Sequence, residues 1–199
     1  MRTRDHFVLA AASLVAATTL TAAPAHATAQ AQATPAQAAA PGCPAPTRAE
    51  AQRSASGAID RPPLGVTGVR MRHLPKGFRY GQVTAGTRDG VREYGYRWSD
   101  DRDDVDRKHR SLWVRVICWP EAKSLASLRK GPWTSGTFGD EAKRTRLGGR
   151  TVLAKAGDGA LGHGRYVGWV ERRGVVVTVM ASRPLLPELG RIVKGIRVP

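Results

Sequence analysis

GRYVGWVERRGVVVTVMASRPLLPELGRIVKGIRVP, residues 164–199, is the stretch whose reading decides the fold. Two runs within it, Arg165 to Arg172 and Val175 to Ala181, are dense in Val, Tyr, Trp and Thr. Such β-branched and aromatic side chains pack well on a pleated surface. Between the runs, Arg173-Gly174 supplies the glycine that a tight hairpin turn requires. The period then changes. Leu186, Leu189, Ile192, Val193 and Ile196 recur at steps of three or four, and Pro187 suits a first helical turn. The stretch therefore predicts a β-hairpin followed by a helix, Pro187 to Lys194, with its apolar stripe laid on the sheet. It contains no obvious reactive group.

Upstream, further strands are available to join that seed. Val66 to His73 alternates, and Leu74-Pro75-Lys76-Gly77 ends it with turn residues. Phe78 to Thr84 is a second candidate and Val91 to Trp98 a third. Ser111 to Trp119 is the clearest, with Leu112, Val114, Val116 and Cys118 on one face and Trp113, Arg115, Ile117 and Trp119 on the other. Both faces are largely apolar, which predicts a central strand. Pro120 then starts a short helix, Glu121 to Arg129, ended by Gly131. Thr145 to Leu147, a Gly148-Gly149 turn and Arg150 to Ala156 follow. The expected class is α+β: a single antiparallel sheet with a C-terminal helix packed on one face.

The N-terminal residues bear on compartment. Arg2 and Arg4 precede an apolar run from Phe7 to Leu20 that leads to Ala25-His26-Ala27, the pattern of a secretory signal peptide over residues 1–27. The run falls short of the ~20 apolar residues needed to span a bilayer, and no later run reaches that length. Residues 28–60 are rich in Ala, Gln, Pro and Thr and read as a flexible linker. Residues 61–199 are long enough for one domain that buries about two-thirds of its unfolded surface.

The chain carries 32 Lys+Arg against 16 Asp+Glu. Four of those bases (Arg2, Arg4, Arg48, Arg53) and three of the acids (Asp5, Glu50, Asp60) precede residue 61. The domain thus keeps 28 bases, 13 acids and a net charge of +15. Such an excess concentrates polyanions at the surface. Outside the cell these would be an anionic wall polymer, acidic lipid or a polyanionic glycan, with no nucleic acid expected in that compartment. The absence of Asn and the dominance of Arg over Lys (25 to 7) offer a second reading, codon bias toward arginine.

Cys43 and Cys118 are the only cysteines, and an even count in an exported chain predicts a disulfide between them. Closing so long a loop is worth roughly 4 kcal/mol in the chain-entropy model. Gly157-Asp158-Gly159-Ala160-Leu161-Gly162 matches a dinucleotide fingerprint by letter, but a strand follows where a helix is needed, so no nucleotide cofactor is expected. Asp100, Asp101, Asp103, Asp104 and Asp106 are interleaved with Arg102, Arg107, Lys108 and Arg110 and fail the calcium-loop spacing, so they read as a solvated loop. His73, His109 and His163 lie far apart, read as surface or turn residues, and give no metal-ligand spacing.

Leu74-Pro75-Lys76-Gly77-Phe78, a strand ending in Trp, Gly148-Gly149-Arg150-Thr151-Val152, and Trp169-Val170-Glu171 before a Val-rich strand and a Leu/Ile helix together carry a resemblance. Over roughly Val69 to Val198 the chain resembles a small extracytoplasmic α+β domain of unknown function found in bacterial anti-sigma-associated and exported proteins. That domain is similar in outline to the half-open sheets of the outer-membrane lipoprotein carriers. The resemblance implies a curved antiparallel sheet with a helix in its concavity, and sensing or binding rather than catalysis. No catalytic residues come with it.

The functional expectation is a non-enzymatic binding module. Its candidate ligand-binding residues are the strand arginines Arg70, Arg72, Arg79, Arg97 and Arg115, with Trp113 and Trp119 as aromatic neighbours. Trp98 and Trp169 are expected in the core. The rival is a secreted hydrolase in which carboxylates such as Glu93, Glu121, Asp140, Glu141 and Glu171 meet only in the fold.

Overall fold

The computed structural model describes residues 43, 45–50, 65–100, 108–132, 138–157 and 163–199, all within the unit Ala38–Pro199. In chain order these form β1 (Gly65–Val66), β2 (Val69–Met71), β3 (Tyr80–Arg88), β4 (Val91–Ser99), β5 (Ser111–Cys118), β6 (Lys143–Leu147), β7 (Arg150–Ala156), β8 (Arg165–Arg172), β9 (Val175–Ala181) and β10 (Ile196–Arg197). A 3-10 turn, Leu125–Lys130, lies between β5 and β6. A second, Arg183–Glu188, runs into a helix, Leu189–Gly195, between β9 and β10.

The hairpin sits where the sequence places it, with Arg172 paired to Val175 across the Arg173-Gly174 turn and Gly174 at φ 79°. A side chain at that φ is strained, so glycine makes the turn possible. Strand β9 is fourth of seven in the main antiparallel sheet, order β3-β4-β5-β9-β8-β7-β6. Every one of its residues is buried, as a strand covered on both faces requires. Val175, Val177, Val179 and Ala181 share a core with Tyr94, Tyr96, Trp98, Val114, Val116 and Trp169. Leu185, Leu189, Ile192, Val193 and Ile196 complete that core from the C-terminal segment. Val176 and Met180 join Ile117, Trp119, Leu128, Phe138, Leu153 and Tyr166 on the opposite face. Gly168 is needed there, because a Cβ would stand 2.6 Å from the Phe138 ring.

Two antiparallel sheets replace the single one expected. The second is three-stranded, order β1-β2-β10. Val66 to His73 is not one strand: the chain reverses at Thr67-Gly68, with Gly68 at φ 94°, and Val66 pairs with Val69. β2 then recruits the C-terminus, Met71 pairing with Ile196 and Arg70 with Arg197. Ile196, expected on the helical stripe, is therefore a strand residue. The helix is also shorter than its apolar period suggests. Pro187 lacks an amide proton and lies in the 3-10 segment, so regular α-helix begins only at Leu189. It stops where the Arg72 amide donates to the Gly195 carbonyl at 2.9 Å. Glu121 to Arg129 likewise gives only the 3-10 turn Leu125–Lys130, anchored by the buried Leu128.

Part of the expected linker is tied down. Cys43 and Cys118 lie at disulfide distance, Cα to Cα 6.0 Å, within the range a disulfide allows. Cys43 packs against the larger core, and the Arg92 guanidinium donates to its carbonyl at 3.3 Å. Among the described residues no helix is long and apolar enough to cross a membrane.

Candidate functional site

The candidate residues separate into three environments. Arg97, Trp113 and Arg115 share one face of β4 and β5, Arg97 opposite Trp113 and Gly95 opposite Arg115. Arg115 is not a surface arginine. It is 1% exposed, its guanidinium 4.6 Å from the Trp113 ring centroid, with Nη1 3.3 Å from Glu93 Oε2 and Nε donating to Thr178 Oγ1 at 3.3 Å. Desolvation lowers its pKa, while the charges of Glu93 and Tyr166 act in the opposite sense. Arg97 is half-buried and is also lowered by desolvation. Trp113 donates its indole N–H to Thr84 at 3.2 Å. This face is a braced polar cluster whose cation has little access to a macromolecular ligand.

Trp119 follows the same side of β5 but is buried beside Ala122 and Leu128 in the second core, not in a groove. Trp98 and Trp169 are core residues as expected. Arg79 is exposed at the turn before β3, where its amide donates to Ser99, and stands apart from the β4–β5 cluster.

Arg70 and Arg72 form the third environment. Val69 and Met71 point into the core, so alternation sends Arg70 to the outer face of β2, and Arg72, just past the end of the strand, is exposed as well. There Arg197, on β10, stands directly opposite Arg70. The three arginines line an open cleft of about 710 Å³ whose other walls include Glu50, Thr67 and Gly65. Sequence reading missed Arg197, because Ile196 was counted into the helix rather than a strand. It missed Glu50 because the linker composition gave no sign of docking.

Most other arginines with visible partners hold the fold together. Arg110 grips Asp100 at 2.8 Å and the Lys76 carbonyl at 2.7 Å. Arg129 donates to the carbonyls of Gly139 and Ala142, and Arg172 to that of Pro199. Arg150 bonds Glu171 at 2.7 Å and the Ile196 carbonyl at 3.0 Å, with the Trp169 ring 5.0 Å away. Among the described residues, Arg70 and Arg72 have neither a carboxylate nor a carbonyl partner.

Among the described residues, three carboxylates of the rival reading each meet a base. Glu93 meets Arg115, Glu141 meets Lys155 at 3.0 Å and Glu171 meets Arg150. His73 bonds Glu188 at 3.0 Å. His163 is exposed at φ 59°, whereas His109 is buried in the bend before β5, a turn residue but not a surface one. Among the described residues, no group of three or more His, Cys, Asp or Glu could hold a metal ion. Asp100 is described, but residues 101–107 of the acidic run and 158–162 of the glycine-rich run lie outside the described residues. No family model, curated protein or solved structure matches the chain.

Proposed function

We propose that this protein is an exported, non-enzymatic binding module for an anionic component of the cell envelope. The observation that carries this reading is the pair Arg70, outward on β2, and Arg72, just past its end, which among the described residues have no carboxylate partner while Glu93, Asp100, Glu141, Glu171 and Glu188 each engage a cation. Guanidinium groups left unpaired in this way are available to a phosphate or carboxylate ligand. Export is supported by the charged, apolar and small-residue order of residues 1–27 and by the disulfide-distance cysteines, which suit an oxidising compartment. The resemblance to anti-sigma-associated exported domains belongs to the same proposal. The hydrolase reading gains no support from Glu93, Glu141 and Glu171, each of which faces a base.

The test is co-sedimentation of the mature chain with purified cell wall across a salt series. Retention that weakens steeply as ionic strength rises is expected, because contacts with a polyanion release counterions. Retention indifferent to salt, or none at low salt, would remove the proposal.

A further inference from the structure

We infer that the cleft between β2 and β10 is a phosphodiester site, and that its occupant is an extended phosphodiester polymer. This rests on the binding function proposed above and gives it a place and a ligand chemistry.

Like charges directly opposite on neighbouring strands destabilise a sheet, yet Arg70 and Arg197 occupy such a pair. Their Cα atoms are about 4.5–5.5 Å apart in any antiparallel pair. Arg72 follows the end of β2, two residues beyond Arg70, and lines the same cleft. Arg70, Arg72 and Arg197 thus line one wall of the cleft. Arg197 is held in place by the carbonyls of Lys194 and Ile196, at 2.8 and 2.9 Å. Glu50, the one carboxylate among the described residues that line the cleft, sets a single negative charge against the three cations and leaves that lining net positive. Its two oxygens take four hydrogen bonds from Thr47 and Thr67, which fills the lone pairs a carboxylate offers. A bound anion would relieve the repulsion between Arg70 and Arg197, and a guanidinium fork matches the two non-bridging oxygens of a phosphodiester.

Geometry favours a polymer over a membrane. The arginines line an open cleft, a concave surface that a flexible chain can follow more closely than a plane of headgroups.

The experiment is calorimetric titration of the full mature chain with a glycerol phosphate oligomer at several salt concentrations. R70Q/R72Q should weaken binding by about tenfold or more and flatten the dependence of log K on log salt by roughly one to two units. R144Q/R146Q removes the same two charges from exposed positions of β6 and should change affinity by no more than about twofold, as far-field charge alone is screened. Equal losses in both double variants would assign binding to overall charge and overturn the cleft while leaving the proposed function intact. Failure of the unaltered chain to bind either oligomer or cell wall would overturn both. Equally tight binding of polygalacturonate would overturn the phosphodiester class. Binding to phosphatidylglycerol vesicles but not to the oligomer would overturn the polymer. Circular dichroism of each variant separates lost binding from lost fold.

Discussion

Glu50 takes both the backbone amide and the hydroxyl of Thr67 on one carboxylate oxygen, at 2.9 and 3.0 Å. The other oxygen takes the amide and hydroxyl of Thr47, at 2.7 and 2.9 Å. The contact fastens the N-terminal segment to the turn between β1 and β2, beside the arginine cleft. Desolvation pushes the Glu50 pKa up, but the bonds from Thr47 and Thr67 outweigh it and hold the carboxyl at about 2, against 4.5.

A depressed carboxyl pKa stabilises the fold fully above the unfolded value and progressively less as pH falls to the folded one. The Glu50 contribution should therefore fade between pH 4.5 and about 2. Thermal unfolding across that window should show the unaltered chain losing more Tm than Glu50→Gln, whose side chain does not titrate. Parallel curves would mean that the Thr67 contact does not form in solution.

The Cys43–Cys118 pair closes a loop of sequence separation 75. In the chain-entropy model that is worth about 4 kcal/mol. A non-reducing peptide map of the exported protein should show the two joined, and Cys43→Ser should lower stability by an amount of that order. Two free thiols in the exported form would refute the bond.

The main sheet was legible because its signals are local. The hairpin has its turn glycine at Gly174, and Ser111 to Trp119 reads as a strand on either face. The small sheet was hidden because β1, β2 and β10 have two or three residues each, too few for a period to show. Their pairing of Met71 with Ile196 joins residues far apart in sequence. The same hidden pairing placed Arg197 opposite Arg70. Arg70 and Arg72 could be read as outward from their alternation with Val69 and Met71. Arg115 could not be placed so easily: its strand position gave the face, but burial there depends on Trp113, Thr178 and the cross-strand Glu93.

Leu189 is buried in the larger core at the start of the helix, with Ile192 and Val193 one turn on. Truncation at such a site removes transfer free energy and leaves a cavity. Leu189→Ala should cost about 2–5 kcal/mol in urea unfolding. A loss too small to measure would show that the helix does not dock on the sheet.

Arg115 and Glu93 offer the sharpest test of the β4–β5 face. The guanidinium side chain is 1% exposed and the carboxylate side chain 35%, so the partners feel removal unequally. Glu93→Gln leaves a buried cation without its carboxylate and should cost about 1–3 kcal/mol, toward the lower end because water still reaches Glu93. Arg115→Met removes the cation, although the buried Thr178 hydroxyl then loses the bond it makes to Nε. Once Arg115 is Met, changing Glu93 should matter little, since a half-exposed carboxylate is solvated without help. The double variant should therefore be more stable than the two single losses predict, by about 1 kcal/mol in a double-mutant cycle. Losses that add within about 0.3 kcal/mol would mean that the two side chains do not interact.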